Sequence, residues 1–401
     1  MKQKELHDRF MQLEPIDLFA YEQDFPEFKP LRDCIQGKKW HAEGDVFIHT
    51  QMSVNEAWKI IQGQTFHKNP GFDLAAKQNI YIGAMLHDFG KPLTTIIHEG
   101  PEEKITAHGH DVAGTVPARE FLKKYFPEFN FARREWIINL VEHHMQPQFM
   151  VKDGADDLRF KRFSLEVDTE QVYNVEIAEH LGRIGYNMDQ RDVYMDGFKQ
   201  KCQELDIFGK NWVIPNSDHL SNFAYANMRW KILFNHMNEY DSNNMKVIEK
   251  LMAKDPFELM LTVGIPGSGK STYTQKFHPN VERISMDDER ERLCGTANDM
   301  SRNGEVFNNC FAKLNKVLSA RQNVIWDATS WTRKARKVLI DSARKKGAVI
   351  TIVYFDTPLE LALQRNQIRD RHTPEDVIKM FYSKLQAPKP YEYDRLVVVE
   401  K

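Results

Sequence analysis

Cysteine is scarce in this chain. Cys34, Cys202, Cys294 and Cys310 are the only four in 401 residues, and none pairs at the short spacing of a zinc finger or redox motif. That excludes a disulfide-stapled scaffold and leads us to expect reduced thiols in a cytoplasmic protein. Long apolar runs are also missing, so no membrane span is expected. The opening residues, MKQKELHDRF, have no apolar core of the kind a secretion signal carries. Internal repeats and low-complexity stretches are absent, which sets aside solenoids and disordered tails. A dominant charge is lacking too, since the net charge is −2. That near-neutrality hides an asymmetry. Residues 257–401 hold 24 Lys and Arg against 18 Asp and Glu, a charge of +6, which leaves −8 for residues 1–256. The basic half is compatible with a polyanionic partner but does not establish one.

What is present reads as a soluble, two-domain protein, with 41% hydrophobic and 28% charged residues. Residues 1–40 are rich in aromatics and charge and show no clear element pattern. From His41 to about Gln203 the periodicity is helical. In AAKQNIYIGAMLHDFG, Ile80, Ala84 and His87 share a helix face, Gly90 is placed to cap it and Pro92 to stop it. In RREWIINLVEHHMQP, Trp136, Leu140 and His143/His144 recur at helical spacing, with Pro147 as the stop. After Pro256, short β-branched runs (FELMLTVG, NVIWDAT, AVITIVYFD) alternate with helical stretches, which predicts an α/β domain with a parallel sheet. The expected division is an all-α domain over 1–205 with its core at 41–205, a connector over 206–256, and the α/β domain over 257–401.

The first strong motif is VGIPGSGKST. Gly264, Gly269, Lys270 and Ser271 fit G-x-x-x-x-G-K-[ST], preceded by a strand-like run and followed by a helical one. Gly264, Gly267, Ser268 and Gly269 form a loop whose backbone N–H groups turn inward onto phosphate oxygens, at the positive end of a helix. Lys270 reaches the β/γ-phosphates. The Ser271 hydroxyl, with Thr272 beside it, suits Mg²⁺, so ATP or another nucleoside triphosphate is the expected ligand. Downstream, RISMDDERERL places Asp287 and Arg290 one helical turn apart. A carboxylate there suits orientation and deprotonation of an acceptor hydroxyl, and an arginine suits an acceptor phosphate. Asp327 ends the run NVIWDAT, at the carboxyl edge where such sheets bind ligands. Arg365, Arg369 and Arg371 follow on one segment.

The order of P-loop, DD-x-R, strand-borne D-x-T and R-N-x-x-R before a proline-started helix resembles the kinase module of polynucleotide 5′-kinases, over roughly residues 257–397. The resemblance implies Asp287 as general base, Arg290 gripping a phosphate beside the acceptor nucleotide, and Asp327 supporting the metal and Arg290. It also implies Arg365 and Arg369 as lid residues over ATP.

The N-terminal half is crowded with potential metal ligands: His49 in VFIHTQMSV, the His87–Asp88 pair in MLHDFGKP, His110 in HGHDVAG, and His143 and His144 in EHHMQP. Imidazoles with a carboxylate suit Mn²⁺, Fe²⁺, Ni²⁺, Co²⁺ or Zn²⁺, and a metal so held activates water for phosphoester hydrolysis. LHDFGKP, GHDVAG and IINLVEHH together resemble the HD phosphohydrolase superfamily, especially the HD domains fused to nucleotidyltransferases, over about residues 41–205. The resemblance implies His49, His87, Asp88, His110 and His143 as ligands, the I-x-x-L-V-x-x-H pattern being read as ending on His143. It implies Lys91 beside the substrate phosphate. Where those relatives carry A-D-x-x-G-R, this chain has AEHLGR, so Glu179 takes the aspartate position, with Asp189 as the alternative and His180 nearby.

Together the halves resemble bifunctional end-healing enzymes that join an HD phosphohydrolase to a polynucleotide kinase. The resemblance implies RNA or DNA ends as substrate, removal of a 2′,3′-cyclic, 2′- or 3′-phosphate, phosphorylation of the 5′-OH, and work alongside a nucleic-acid ligase. Two other readings fit the same motifs. One is a nucleoside or nucleotide kinase fused to an HD nucleotidase; the other is an ATP-gated HD phosphodiesterase in signalling.

Overall fold

The computed structural model describes residues 1–64, 71–98, 104–185, 188–212, 222–233, 256–369 and 372–400. It divides into two compact units, Met1–Trp212 and Val213–Lys401. That boundary falls within the segment expected as a connector, most of which lies outside the described residues. No described helix is long and apolar enough to cross a membrane.

The first unit is helical, apart from a small antiparallel hairpin of β1 (Ile96–His98) and β2 (Lys104–Thr106). Its N-terminal 40 residues belong to the core. The Lys2–Met11 helix buries Leu6 and Phe10. Phe25 and Phe28 are fully buried, with ring centroids 5.2 Å apart, and both stack on Phe121. Aromatic rings carry the largest apolar area per residue, so this stack anchors a segment that has little regular structure.

Three longer helices carry the histidines. Asp45 caps Val46–Ile61 by accepting the Ile48 N–H, which places His49 one turn inside a buried helix. Asp73 caps Leu74–Leu86 in the same way, and His87 follows directly at its C-terminus. Asn130 caps Phe131–His143, with His144 following. Pro147 opens the next helix, Gln146–Lys152, rather than merely stopping the last.

Gly90 does not act as a left-handed cap. Its φ is −86°, a conformation open to any residue. Its constraint is steric, because a Cβ there would lie 2.0 Å from the His110 carbonyl oxygen and 2.5 Å from the Gly114 nitrogen. Two backbone segments therefore meet at Gly90, one leading from Asp88 and the other starting at His110.

The second unit is built on a five-stranded parallel sheet in the order β4 (Glu282–Ser285), β5 (Val324–Asp327), β3 (Glu258–Val263), β6 (Val349–Asp356), β7 (Arg395–Glu400). Strands β3, β5 and β6 are almost wholly buried, as apolar runs covered on both faces should be. The glycine loop leaves the carboxyl end of β3, between β5 and β6, where the chain's path across the sheet reverses and such folds bind ligands. Within the former connector, the Asn222–Leu233 helix belongs to this unit; Trp230 donates its indole N–H to Asp341 at 2.7 Å.

Gly90→Ala is expected to destabilise the protein by about 1–3 kcal/mol, the usual cost of forced overpacking, and to weaken cation binding by displacing His110. Denaturant unfolding with and without Mn²⁺ measures both. Parent-like values would show that the two backbones separate freely.

Candidate functional site

In the first unit the imidazoles converge on Asp88. Its Oδ2 lies 3.2 Å from His87 Nε2 and 3.6 Å from His49 Nε2, and its Oδ1 lies 3.3 Å from His110 Nε2. His144 joins through its Nε2, 3.2 Å from that of His110. On the other side, the Nε2 atoms of His49 and His87 are 3.3 Å apart. The residues fall into overlapping ligand groups: His49, His87 and Asp88; Asp88, His110 and His144; and His41, Glu43 and His49.

The backbone dictates how these rings are protonated. His87, His110 and His144 direct Nδ1 at the carbonyls of Ala84, Ala107 and Val141, each at 2.7 Å, and His49 Nδ1 faces Gly182 O at 3.3 Å. Carbonyls only accept, so Nδ1 carries the proton and Nε2 presents a lone pair. Burial pushes His49 and His144 well below the ordinary histidine range and lowers His110, which keeps these rings neutral. Burial also disfavours the Asp88 carboxylate, but its interactions with His87 and the Lys91 ammonium outweigh this and hold its pKa well below the usual value. Lone pairs thus face lone pairs across 3.2–3.3 Å. Asp88 Oδ1 is buried and meets no hydrogen-bond donor among the described residues. Neutral imidazoles around an ionised carboxylate are the donor set of a divalent transition cation, so the residues fit such an ion.

Lys91 is buried, with Nζ 2.7 Å from Asp88 Oδ2 and 2.7 Å from Gln36 Oε1. Burial lowers its pKa, and Asp88 works against that shift.

Two expected ligands lie elsewhere. His143 points away from the cluster: its Nε2 is 3.8 Å from Glu166 and its ring packs edge-on against Phe163 at 5.6 Å. Helical phase explains this. His143 follows Trp136 by two turns, and Trp136 is 44% exposed, whereas His144 follows the buried Ile137 and Val141. Counted from Ile137, the I-x-x-L-V-x-x-H pattern in fact ends on His144. Glu179 is buried but taken up by two guanidiniums, pairing closely with Arg183 and with Arg191 at 3.1 Å. Its longer arm reaches those cations, and it joins none of the ligand groups. Asp189 is exposed, and His180 is tied to Asp192 at 2.7 Å. His41, Glu43 and Gln36 went unnoticed in the sequence, although the cap at Asp45 marks where His49 must sit.

In the second unit, Gly264, Gly267, Ser268 and Gly269 form the turn between β3 and the Lys270–Phe277 helix, whose first residues include Ser271 and Thr272. Gly267 has φ +82°, and a Cβ there would lie 2.3 Å from the Ala362 carbonyl oxygen. The loop therefore lies tight against the Leu359–Gln367 helix that carries Arg365. Lys270 donates to the carbonyls of Gly264 and Ile265 at 2.9 and 2.8 Å, and burial lowers its pKa to about 8.

Ser285 caps the Met286–Cys294 helix, which sets Asp287 in its first turn at the sheet edge. Asp287 accepts a hydrogen bond from Arg290 at 2.7 Å while remaining largely open to solvent. The other contacts of the buried Arg290 are Ala297 O and Asn303 Oδ1, each at 3.1 Å. Asp327 is not its partner. Asp327 accepts from Arg283 at 2.7 Å, and Arg283 also pairs closely with Asp288. Arg283 is the arginine that pairs with Asp327, because it lies on β4, whose end pairs with that of β5. Arg365 buries an Nη1 that has no hydrogen-bond partner among the described residues. Arg369 lies close enough to Lys270 to lower its pKa further, and Arg371 lies outside the described residues.

Residues 259–388 match a family model described as an AAA domain. The chain is similar to an L-seryl-tRNA(Sec) kinase of Methanococcus maripaludis, 29% identical over 32% of this chain and 53% of that protein. It is also similar to a multifunctional CCA protein of Actinobacillus pleuropneumoniae, 26% identical over 44% of this chain and 45% of that protein. The chain spans about half the length of these curated relatives. A solved structure of the Pnkp1/Rnl/Hen1 complex shares 28% identity over 28% of this chain and 40% of that one, at TM-score 0.26.

His144→Ala is expected to weaken Mn²⁺ binding at least about 10-fold, whereas His143→Ala stays near the parent value. Equilibrium titration with the metal alone separates them. The reverse order would return the ligand role to His143.

Proposed function

We propose that this protein heals broken RNA ends, phosphorylating a 5′-OH at the P-loop site and removing a 2′,3′-cyclic, 2′- or 3′-phosphate at the His–Asp cluster. The observation that carries the reading is the presence in one chain of two polar clusters with different donor sets. One is a glycine loop with Lys270 and a solvent-open Asp287 held by Arg290; the other is a buried imidazole cluster around Asp88. The family match over 259–388 supports nucleotide binding in the second unit. Similarity to a kinase named for an aminoacylated tRNA is compatible with an RNA-linked acceptor.

At the kinase site the loop N–H groups and Lys270 hold the donor phosphates of ATP, and Ser271 offers its hydroxyl to Mg²⁺. Arg365 and Arg369 add positive charge over the transferred phosphoryl. Asp287 takes the proton of the acceptor hydroxyl, and Arg290 keeps that carboxylate ionised and aimed. Arg283, on the strand leading into the helix of Asp287 and Arg290, pairs with Asp327 and Asp288.

At the cluster, His49, His87, Asp88, His110 and His144 would hold a divalent cation. That group would supply an acidified water and neutralise phosphate charge. Lys91, poised on Asp88, contributes a positive charge to the substrate phosphate. The buried imidazole set favours Mn²⁺, Ni²⁺, Co²⁺, Zn²⁺ or Fe²⁺ over Mg²⁺, which prefers oxygen ligands and retains its waters. A ligase would then have both ends it needs to seal the strand.

One incubation tests the reading: a 5′-OH, 2′,3′-cyclic-phosphate RNA oligomer with ATP, Mg²⁺ and Mn²⁺, both ends being scored. Lys270→Ala is expected to cost at least about 100-fold in 5′-phosphorylation, the scale of a lost electrostatic group, and to spare hydrolysis. Asp88→Ala should do the reverse. Joint collapse of both activities in a folded variant would reject two separate sites. Phosphorylation of a nucleoside but not of the oligomer would point to a small-molecule kinase.

Asp287→Asn is expected to retain ATP binding and to lower transfer by about 10²–10⁴-fold, the contribution of a positioned base. Transfer near the parent rate would move that role to another carboxylate, with Asp288 the first to test.

A further inference from the structure

The loop before the Val46–Ile61 helix brings a carboxylate up behind His49. Glu43 is buried, its side chain 1% exposed, and its Oε1 lies 3.1 Å from His49 Nδ1. The same oxygen accepts from His41 Nδ1 at 2.7 Å, while Oε2 accepts the backbone N–H of Ile184 at 2.9 Å. Those contacts come from both ends of the unit's sequence and leave Glu43 little freedom. An unsupported carboxylate in such a place would be expensive, so its retention calls for a reason.

His49 differs from the other imidazoles of the cluster. His87, His110 and His144 each rest Nδ1 on a backbone carbonyl at 2.7 Å. The hydrogen bond of His49 Nδ1 goes to the Gly182 carbonyl at a longer 3.3 Å, with the Glu43 carboxylate oxygen beside it at 3.1 Å. Both neighbours can only accept, so the proton of His49 belongs on Nδ1 and the Nε2 lone pair faces His87 and Asp88. A separate cation held by His41, Glu43 and His49 would require that Nδ1 proton to be stripped. The geometry therefore favours a supporting carboxylate over an independent site.

We propose that Glu43 is a positioning carboxylate, fixing the tautomer and orientation of His49 and strengthening His49 Nε2 as a donor to a divalent cation. His41 and Ile184 in turn hold Glu43. This inference rests on the cation-binding reading of the cluster and goes beyond it by assigning a role to a residue that does not touch the ion. Carboxylate partners of this kind raise the basicity of a ligating imidazole.

The test uses the full chain, stripped with a chelator and titrated with Mn²⁺ alone, with thermal unfolding of the metal-free protein recorded alongside. Glu43→Gln keeps the length and an acceptor for Ile184 but loses the charge. It is expected to bind Mn²⁺ about 10-fold more weakly while melting close to the parent without metal. Glu43→Asp restores the charge and should bind more tightly than Glu43→Gln. A purely structural tie would leave Asp no better than Gln, and parent-like Mn²⁺ affinity in Glu43→Gln would overturn the inference. A parent protein that binds no Mn²⁺ would reject the cation reading and this role with it. A parent that binds Mn²⁺ yet leaves RNA phosphates intact would reject the substrate reading and leave Glu43 in place.

Discussion

Imidazole nitrogens do not gather inside a protein unless something holds them, and here helix ends do much of that work. The last carbonyls of a helix lack intrahelical partners. His87, just past the Leu74–Leu86 helix, gives its Nδ1 proton to Ala84, and His144, just past Phe131–His143, gives its own to Val141. One hydrogen bond thus satisfies an orphan carbonyl and turns the other face of the ring into a lone pair. Repeated around Asp88, this gathers a set of side chains that could hold a metal ion. Burial keeps His49, His110 and His144 neutral.

The second unit solves a related problem with the opposite sign. Lys270, largely cut off from solvent, rests on carbonyls of its own loop, and Arg283 is drawn onto Asp327 and Asp288. These cations are held at the carboxyl edge of the sheet by strands that are buried on both faces. The close approach of Gly267 to Ala362 sets the glycine loop against the helix bearing Arg365. Asp287 is the exception, exposed and held at one point by Arg290.

Much of this was legible in the chain itself. The P-loop, the parallel α/β alternation after Pro256 and the helical N-terminal half all follow from local pattern, and local pattern is what glycine spacing and hydrophobic periodicity encode. His49, His87, Asp88 and His110 were likewise recognisable and are gathered in one place. The partners of Arg290 and Asp327 were not, since Arg283 is an ordinary strand arginine until β4 is paired with β5. Beyond the Lys2–Met11 helix, the first 40 residues offered little periodicity to read, because buried residues such as Phe25 and Phe28 sit on short turns rather than a repeating face.

The sequence by itself determined which residue types were available for phosphate chemistry and on which kind of element each would sit. Tertiary structure alone decided which of them meet. Adjacent His143 and His144 differ by about 100° around a helix; the pattern counted from Ile137 ends on His144, and the packing of Ile137 and Val141 turns that residue inward. Glu179 has the charge of a ligand, yet Arg183 and Arg191 reach it first. Glu43 stands beside His49 because a loop and the end of a helix about 140 residues later close around it. Such contacts join residues far apart in the chain, and no local spacing records them.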